Sequence, residues 1–522
     1  MLKNIIKTIL LSFVLLCTAL PVIAADMTTD VVVVGAGTSG TAAALAALEK
    51  GARVILIEKA PFAAGAGTFS GGMFAADSPE QIKTGKTVDK EWLFNVFMES
   101  SSYRANARLV KNYINNAGRT VKFLMDNGAE FALSDAGQDG QIWHQDMPAT
   151  HHGYQNGGGA VNIGKLQKTF QKKGGILLFE TKGISIVKDK NGKIAGIIAE
   201  NADEEEFQIN AKAVILATGG AGANAEMLKE IYNSDNPPLG FIGTAQGEGI
   251  KMAWEAGARK GDIIGEFFAV NLIPDAMRSL EFRPFADVPF LKVNTHGKRF
   301  MREDHGLGYA LYGNAVFEQP NHTAWVVFDQ TSMDKFKKGG LQALVDQYSK
   351  WKNSDKEFYE FNEKMAAADS AKQAATPIDY TPLLKSVEGR DAMIAKSLKE
   401  LAKKMDIDPE TFQAEVARYN ELAKIGDVDF HNEPQFMYPL IKAPYYAIRF
   451  AARSLGTLGG VVVNENLQAV DKNYDPIPGL YTVGNDATGV WGNSYVEICG
   501  ASLGFAFTSG MLAGEDAASF VK

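Results

Sequence analysis

The chain has 522 residues and a formal net charge of −8, an acidic balance that argues against nucleic acid and anionic membrane surfaces as partners. Its hydrophobic fraction of 46% is ordinary for a globular protein, and its length exceeds what one core accommodates, so two domains are expected. With only Cys17 and Cys499, the chain cannot build a disulfide framework, a zinc or iron–sulfur cluster or a C-x-x-C-H haem attachment, which leaves an organic cofactor for any bound redox centre.

Lys3 and Lys7 precede an apolar stretch at 9–20, and Val22-Ile23-Ala24 offers a cleavage site before Ala25. This is the pattern of a Sec-type signal peptide at 1–24, and it predicts a periplasmic protein with no stable membrane insertion. A β-branched strand at 31–34 follows. Gly35, Gly37 and Gly40 then fill G-x-G-x-x-G positions around Ser39, an Ala/Leu helix comes next, and a second strand at 54–57 runs into Glu58 and Lys59. This is a βαβ dinucleotide site: the glycines let backbone and helix approach a pyrophosphate, which meets the free N–H groups of the helix N-terminus. Glu58 suits a ribose 2′-hydroxyl and repels a 2′-phosphate, favouring FAD or NAD over NADP.

The loop GAGTFSGGMFAAD at 65–77 places Thr68, Ser70, Gly71 and Gly72 where they can surround a phosphate and a flavin edge. His144, Asp146, His151 and His152 form a polar cluster before the glycines at 157–159. Their spacing is not that of a metal site, so a loop beside the cofactor or a second domain is expected, with no metal. KAVIL at 212–216 reads as a buried strand ending in Ala217, Thr218, Gly219 and Gly220, a second close backbone approach. PIPGLYTVGND ends a last strand at Gly484, Asn485 and Asp486, and a small-residue helix follows with Ser502 and Leu503 in its first turn. Chain ends that return to one sheet give a dinucleotide domain split in sequence.

Taken together, GAGTSG with Glu58, TFSGG at 68–72, ATGG at 217–220 and GLYTVGND at 479–486 resemble the FAD-dependent fumarate reductase and succinate dehydrogenase flavoprotein family from residue 28 to the end. The resemblance implies an α/β fold with FAD as cofactor. It implies a Rossmann-like FAD-binding domain at 25–264 and 455–522, interrupted by an α+β capping domain at 265–454. In that family arginine and histidine clamp a dicarboxylate. At the corresponding places this chain has Leu307, Ser454-Leu455-Gly456-Thr457 and Tyr495.

In those segments, LGTLGG at 455–460 and GNSY followed by GASLG are more similar to the 3-ketosteroid 1-dehydrogenase branch. That likeness implies that the Tyr495 hydroxyl and the Gly500 N–H bind a substrate oxygen, where two donors stabilise a developing enolate. It also implies a proton donor in the turn after GKRF. Tyr309 is the first choice there, with Arg302, His305 and Tyr312 as further candidates. The expected function is an exported FAD enzyme that reduces a C=C bond conjugated to a carbonyl or carboxylate of a small unsaturated substrate. Its electrons are expected from a separate periplasmic cytochrome c or FMN-binding protein linked to the quinone pool. The alternatives are a ketosteroid-type dehydrogenase, a fumarate reductase-like dicarboxylate reductase and a flavin carrier without a substrate site.

Overall fold

The computed structural model describes residues 26–62, 65–134, 149–271, 281–304, 309–341, 343–344, 376–496 and 498–522. The expected signal peptide, His144, Asp146, His305 and Leu307 lie outside that set. The central sheet runs in the order 468–470, 476–482, 213–216, 31–34, 54–57, 176–178. Val31–Val34 sits between Ala213–Leu216 and Val54–Ile57, parallel to both. Every residue of these three strands is buried, which explains their unbroken apolar runs: a parallel sheet covered on both faces needs no polar alternation.

Alternate residues serve the two faces. Val31, Val33 and Leu56 join the core that includes helix Thr38–Glu49 and the C-terminal helix Ala501–Phe520. Val32, Val34, Ile55 and Ile57 pack instead with Ile197, Ile209 and Ile250. The two helices cross at backbone distance. A Cβ on Gly510 would stand 2.2 Å from the Ser39 carbonyl oxygen, and one on Gly514 the same distance from that of Ala43. The small-residue spacing of the last helix is therefore a packing requirement.

A second sheet is ordered 260–271, 445–462, 323–329, 291–293, with Ala392–Ala395 and Ala487–Thr488 also paired to the long strand Tyr445–Val462. One of its faces carries an aromatic core of Phe282, Phe285, Phe290, Phe328 and Phe336, and the other packs helix Pro409–Ile425 through Phe412, Val416 and Tyr419. The positions expected to separate the domains fall inside paired strands, since Ile264 faces Leu458 and Gly265 faces Thr457. The polypeptide thus passes between the two halves as a continuous ribbon.

His151 and His152 lie on strand His151–Tyr154, between Gly72–Phe74 and Phe131–Ser134. His152 is fully buried, with Nε2 2.7 Å from the Ser78 hydroxyl and Nδ1 3.1 Å from the Thr150 carbonyl. Loss of water pushes both imidazoles down to about 4, so both are neutral near pH 7. Among the described residues no group of three His, Cys, Asp or Glu is placed to hold a metal. No described helix is long and apolar enough to cross a membrane.

Candidate functional site

A cavity opens at the carboxyl ends of the central strands, where open α/β sheets bind their ligands. Gly35 leaves strand Val31–Val34 at φ +101°, and a Cβ there would stand 2.4 Å from the Ala217 carbonyl oxygen. The two glycine-bearing turns therefore meet as backbone. Gly37, Thr38 and Ser39 open helix Thr38–Glu49 onto the cavity. Gly40 lies behind them, where a Cβ would fall 1.8 Å from the Gly35 carbonyl oxygen. It seats the helix rather than lining the wall.

Glu58 lines the cavity and is 6% exposed. Its carboxylate accepts from the backbone N–H of Ala36 at 2.9 Å and of Ala60 at 2.9 Å, so it also fastens the glycine loop to the end of the second strand. Lys59 pairs with Glu248 at 2.5 Å, and both side chains border the same cavity. Gly65, Ala66, Gly67 and Ser70 form another wall. Thr68, Gly71 and Gly72 shape that loop from outside the wall. The Thr68 hydroxyl donates to the Gly65 carbonyl at 2.7 Å, the Gly71 carbonyl accepts from Tyr154 N–H, and Gly72 pairs with Gly153 in a strand, where a Cβ would stand 2.2 Å from the His152 carbonyl oxygen.

Ala217, Thr218 and Gly219 line the cavity, whereas Gly220 and Asp486 stand behind it. The buried Asp486 carboxylate accepts from Thr218 N–H at 2.5 Å, Thr218 hydroxyl at 2.9 Å and Gly220 N–H at 2.6 Å. It sets the turn and ties down the Thr218 hydroxyl, which also accepts from Gly249 N–H at 3.0 Å. Asn485, Ser502 and Leu503 complete the wall. Leu455 and Gly456 of the LGTLGG segment also line it, as do residues 181–183, Thr244 and Glu248, which were not singled out from the sequence. A signal existed for 181–183, because they follow another parallel strand of the same sheet, Ile176–Leu178.

Tyr495, Gly500, Arg302 and Tyr312, expected to handle substrate, are not among the residues lining this cavity. The Tyr495 hydroxyl donates to the Ile498 carbonyl at 3.1 Å and accepts from Ser502 N–H at 3.3 Å. Its hydrogen is used within the chain, and burial pushes the phenol well above its ordinary value. Gly500, at φ +74°, is the residue from which the last helix starts, and its carbonyl accepts from Phe74 N–H at 2.9 Å. Arg302 is engaged by the Asp304 carboxylate through two hydrogen bonds of 2.8 and 2.6 Å. Tyr309 begins helix Tyr309–Phe317, and its side chain lies outside the described set. Tyr312 is buried in the aromatic core.

A family model described as FAD binding domain matches residues 30–503. Over 503 residues the chain is 30% identical to the vinyl phenol reductase of Lactiplantibacillus plantarum, covering 94% of this chain and 96% of that protein. Over 507 residues it is 30% identical to a fumarate reductase (cytochrome) of Shewanella frigidimarina, covering 95% of this chain and 78% of the other. Among solved structures, 3-ketosteroid Δ1-dehydrogenase from Sterolibacterium denitrificans in complex with 1,4-androstadiene-3,17-dione superposes with a TM-score of 0.71 at 19% identity, covering 94% of this chain and 99% of that one. At that identity the likeness speaks to the fold alone. The cofactor is FAD and the protein is an oxidoreductase acting on CH–CH groups. From the split parallel sheet, the paired glycine turns and a match that runs nearly end to end, the chain belongs to the FAD binding domain family.

Proposed function

We propose that this protein reduces a C=C bond conjugated to a carbonyl or carboxylate, favouring enones and monocarboxylates with an apolar or aromatic tail over dicarboxylates. The observation that carries the reading is the composition of the cavity wall at Leu455, Gly456, Ser502 and Leu503. Leu455 and Gly456 fall in the segment where the resemblance implies a histidine of a dicarboxylate enzyme, and Ser502 and Leu503 add a hydroxyl and apolar surface beside them. Two carboxylates desolvated there without partners would be costly. Relatives named for vinyl phenol and for fumarate support the reaction class.

The cavity fits FAD. Glu58 suits the ribose, the N–H groups at Gly37–Ser39 suit the pyrophosphate, and the Thr38 hydroxyl is buried with no hydrogen-bond partner among the described residues. A Cβ at Gly67 would fall 1.8 Å from that hydroxyl, so the cradle is kept open by a missing side chain. When bound, reduced FAD supplies a hydride to one carbon of the double bond. The chain must hold the conjugated oxygen and deliver a proton to the other carbon, and the turn bearing Arg302 and Tyr309 is the proposed source of that proton.

Export by residues 1–24 and a separate electron donor, a cytochrome c or an FMN-binding protein, complete the proposal. Acid precipitation of the purified protein is expected to release FAD into the supernatant, and FMN in its place would refute non-covalent FAD. Under anaerobic conditions reduced viologen should support turnover of an aryl enone such as 4-phenylbut-3-en-2-one well above that of fumarate, and NADH should support little with either. Fumarate reduced faster than every neutral enone and monocarboxylate in the panel would end the substrate argument. Retention of residues 1–24 in protein recovered from cell fractions would end the export argument.

A further inference from the structure

Strand Lys260–Asn271 carries an acid, Glu266, beside the cavity wall. Gly265 pairs with Thr457 and Phe267 with Ser454, so Glu266 stands opposite a bulge formed by Leu455 and Gly456, two residues of the cavity wall. In a strand, residues two apart share a face. Ile264, on the same face as Glu266, packs into the core containing Tyr495 and Leu503, while Phe267 turns the other way to stack on Phe317 and meet Tyr232. Glu266 is therefore directed at the start of the last helix, where the Ser502 hydroxyl bonds its carboxyl. Ser502 is itself a wall residue and is held through its N–H by the Tyr495 hydroxyl.

Among the described residues no ion pair involves Glu266. The titratable groups around it are the Tyr495 phenol, with the Cys499 thiol and Tyr113 phenol beside that phenol in turn. On the neighbouring strand, Arg453 is the partner of Phe268, two positions along. Helix Tyr309–Phe317 presses on Phe267 and Phe268 through Gly313 and brings Tyr312. Loss of water pushes the Glu266 carboxyl up to about 7, against the Ser502 bond, which favours the charged form. Below that value the carboxyl is protonated and is a hydrogen-bond donor, and such a donor stabilises negative charge developing on a substrate oxygen.

We propose that Glu266 is a substrate-binding residue whose carboxylic acid, oriented by Ser502, donates a hydrogen bond to the carbonyl oxygen conjugated with the reducible C=C. The assignment rests on the proposed reaction class and adds the donor that Tyr495, already committed to Ile498, does not supply. Ser502 and Tyr495 are then positioning residues. An enone carbonyl or one oxygen of a monocarboxylate can accept this hydrogen bond, which supplies no cation for a second carboxylate. The acid is the active form, so binding is complete below the carboxyl's value and is lost as pH rises through about 7.

The test uses FAD-loaded protein and the saturated ketone 4-phenylbutan-2-one, whose binding is read from the flavin absorbance change between pH 5.5 and 9. For the wild type the Kd should be flat at low pH and rise roughly tenfold per unit above the carboxyl's value. Glu266→Gln keeps a neutral donor, so its Kd should stay flat across the range. Glu266→Ala should bind at least about tenfold more weakly at pH 6, the loss expected for one donor. A Gln variant with the wild-type pH limb, an Ala variant that binds as tightly as wild type, or a wild type that binds no ketone would each overturn the assignment. Kinetics with 4-phenylbut-3-en-2-one separate the two readings: ketone binding with the predicted pH limb but no enone reduction would sink the proposed reaction and leave Glu266 as a carbonyl donor.

Discussion

Replacing Arg299 with Met is expected to lower the unfolding free energy by about 3–5 kcal/mol, the cost of leaving a buried charge without its partner. The Arg299 side chain is 2% exposed. It donates to Glu303 at 2.7 and 2.5 Å and to Asp427 at 2.6 Å, while the rings of Phe430 and Tyr419 lie 4.6 and 5.2 Å from the guanidinium carbon. Asn432 donates to Glu303 at 3.0 Å, and N–H groups of Phe430 and Asn432 bind Asp427. Burial pushes the Glu303 carboxyl up, and Arg299 is the main force pulling it back down. Without Arg299 both carboxylates lose their cation in a site closed to water. Urea unfolding followed by tryptophan fluorescence reads the loss. The double variant Arg299→Met with Glu303→Gln should be more stable than the single variant, because it carries one fewer stranded charge. A loss below about 1 kcal/mol in the single variant would show that the network is dispensable.

Asp486→Ala is expected to strip the protein of FAD. Three donors, two of them backbone N–H groups, converge on that one carboxylate. Each buried donor left unsatisfied costs about 1–3 kcal/mol, enough to release the 217–220 turn from its present course and remove Thr218 and Gly219 from the cavity wall. Retention should weaken by about a hundredfold or more. The measurement is the flavin-to-protein ratio after gel filtration at micromolar protein. Asp486→Asn keeps one carbonyl acceptor and should fall between wild type and Ala. Stoichiometric FAD in the Ala variant would show that the turn holds its own shape.

The parts of the fold that the sequence announced are those where steric necessity leaves a residue signature. The valine run at 31–34 reads as a doubly covered parallel strand because it is one, and Gly35, Gly40 and Gly510 are glycines because carbonyl oxygens occupy the space of their Cβ atoms. Function within a motif is harder to read. Asp486 and Gly220 belong to the motifs that mark the cofactor, yet they act one layer behind the wall, a distinction made by direction rather than by residue type. Glu266 gave no signal because an acid in an amphipathic strand is ordinarily solvated. Only the pairing across Leu455 and Gly456, more than 180 positions later, sets it beside two residues of the cavity wall. Tyr495 shows the converse. Its hydroxyl matches a catalytic pattern, and in the folded chain it is bonded to the start of its own following helix.

Thr218 and Gly220 of the 217–220 turn donate to Asp486, the next residue Ala221 donates to the Thr457 hydroxyl, and the cavity takes Asn485, Ser502 and Leu503 from the last forty residues. A nascent chain halted before residue 484 would own the entire first βαβ unit and still lack both the brace for its second turn and one side of the cofactor's enclosure. Contacts of such sequence separation form late, after the cost of closing a long loop has been met. The N-terminal half alone therefore holds an incomplete flavin site. Cofactor capture becomes the closing event of folding, and a chain truncated near its end loses FAD along with its final helix.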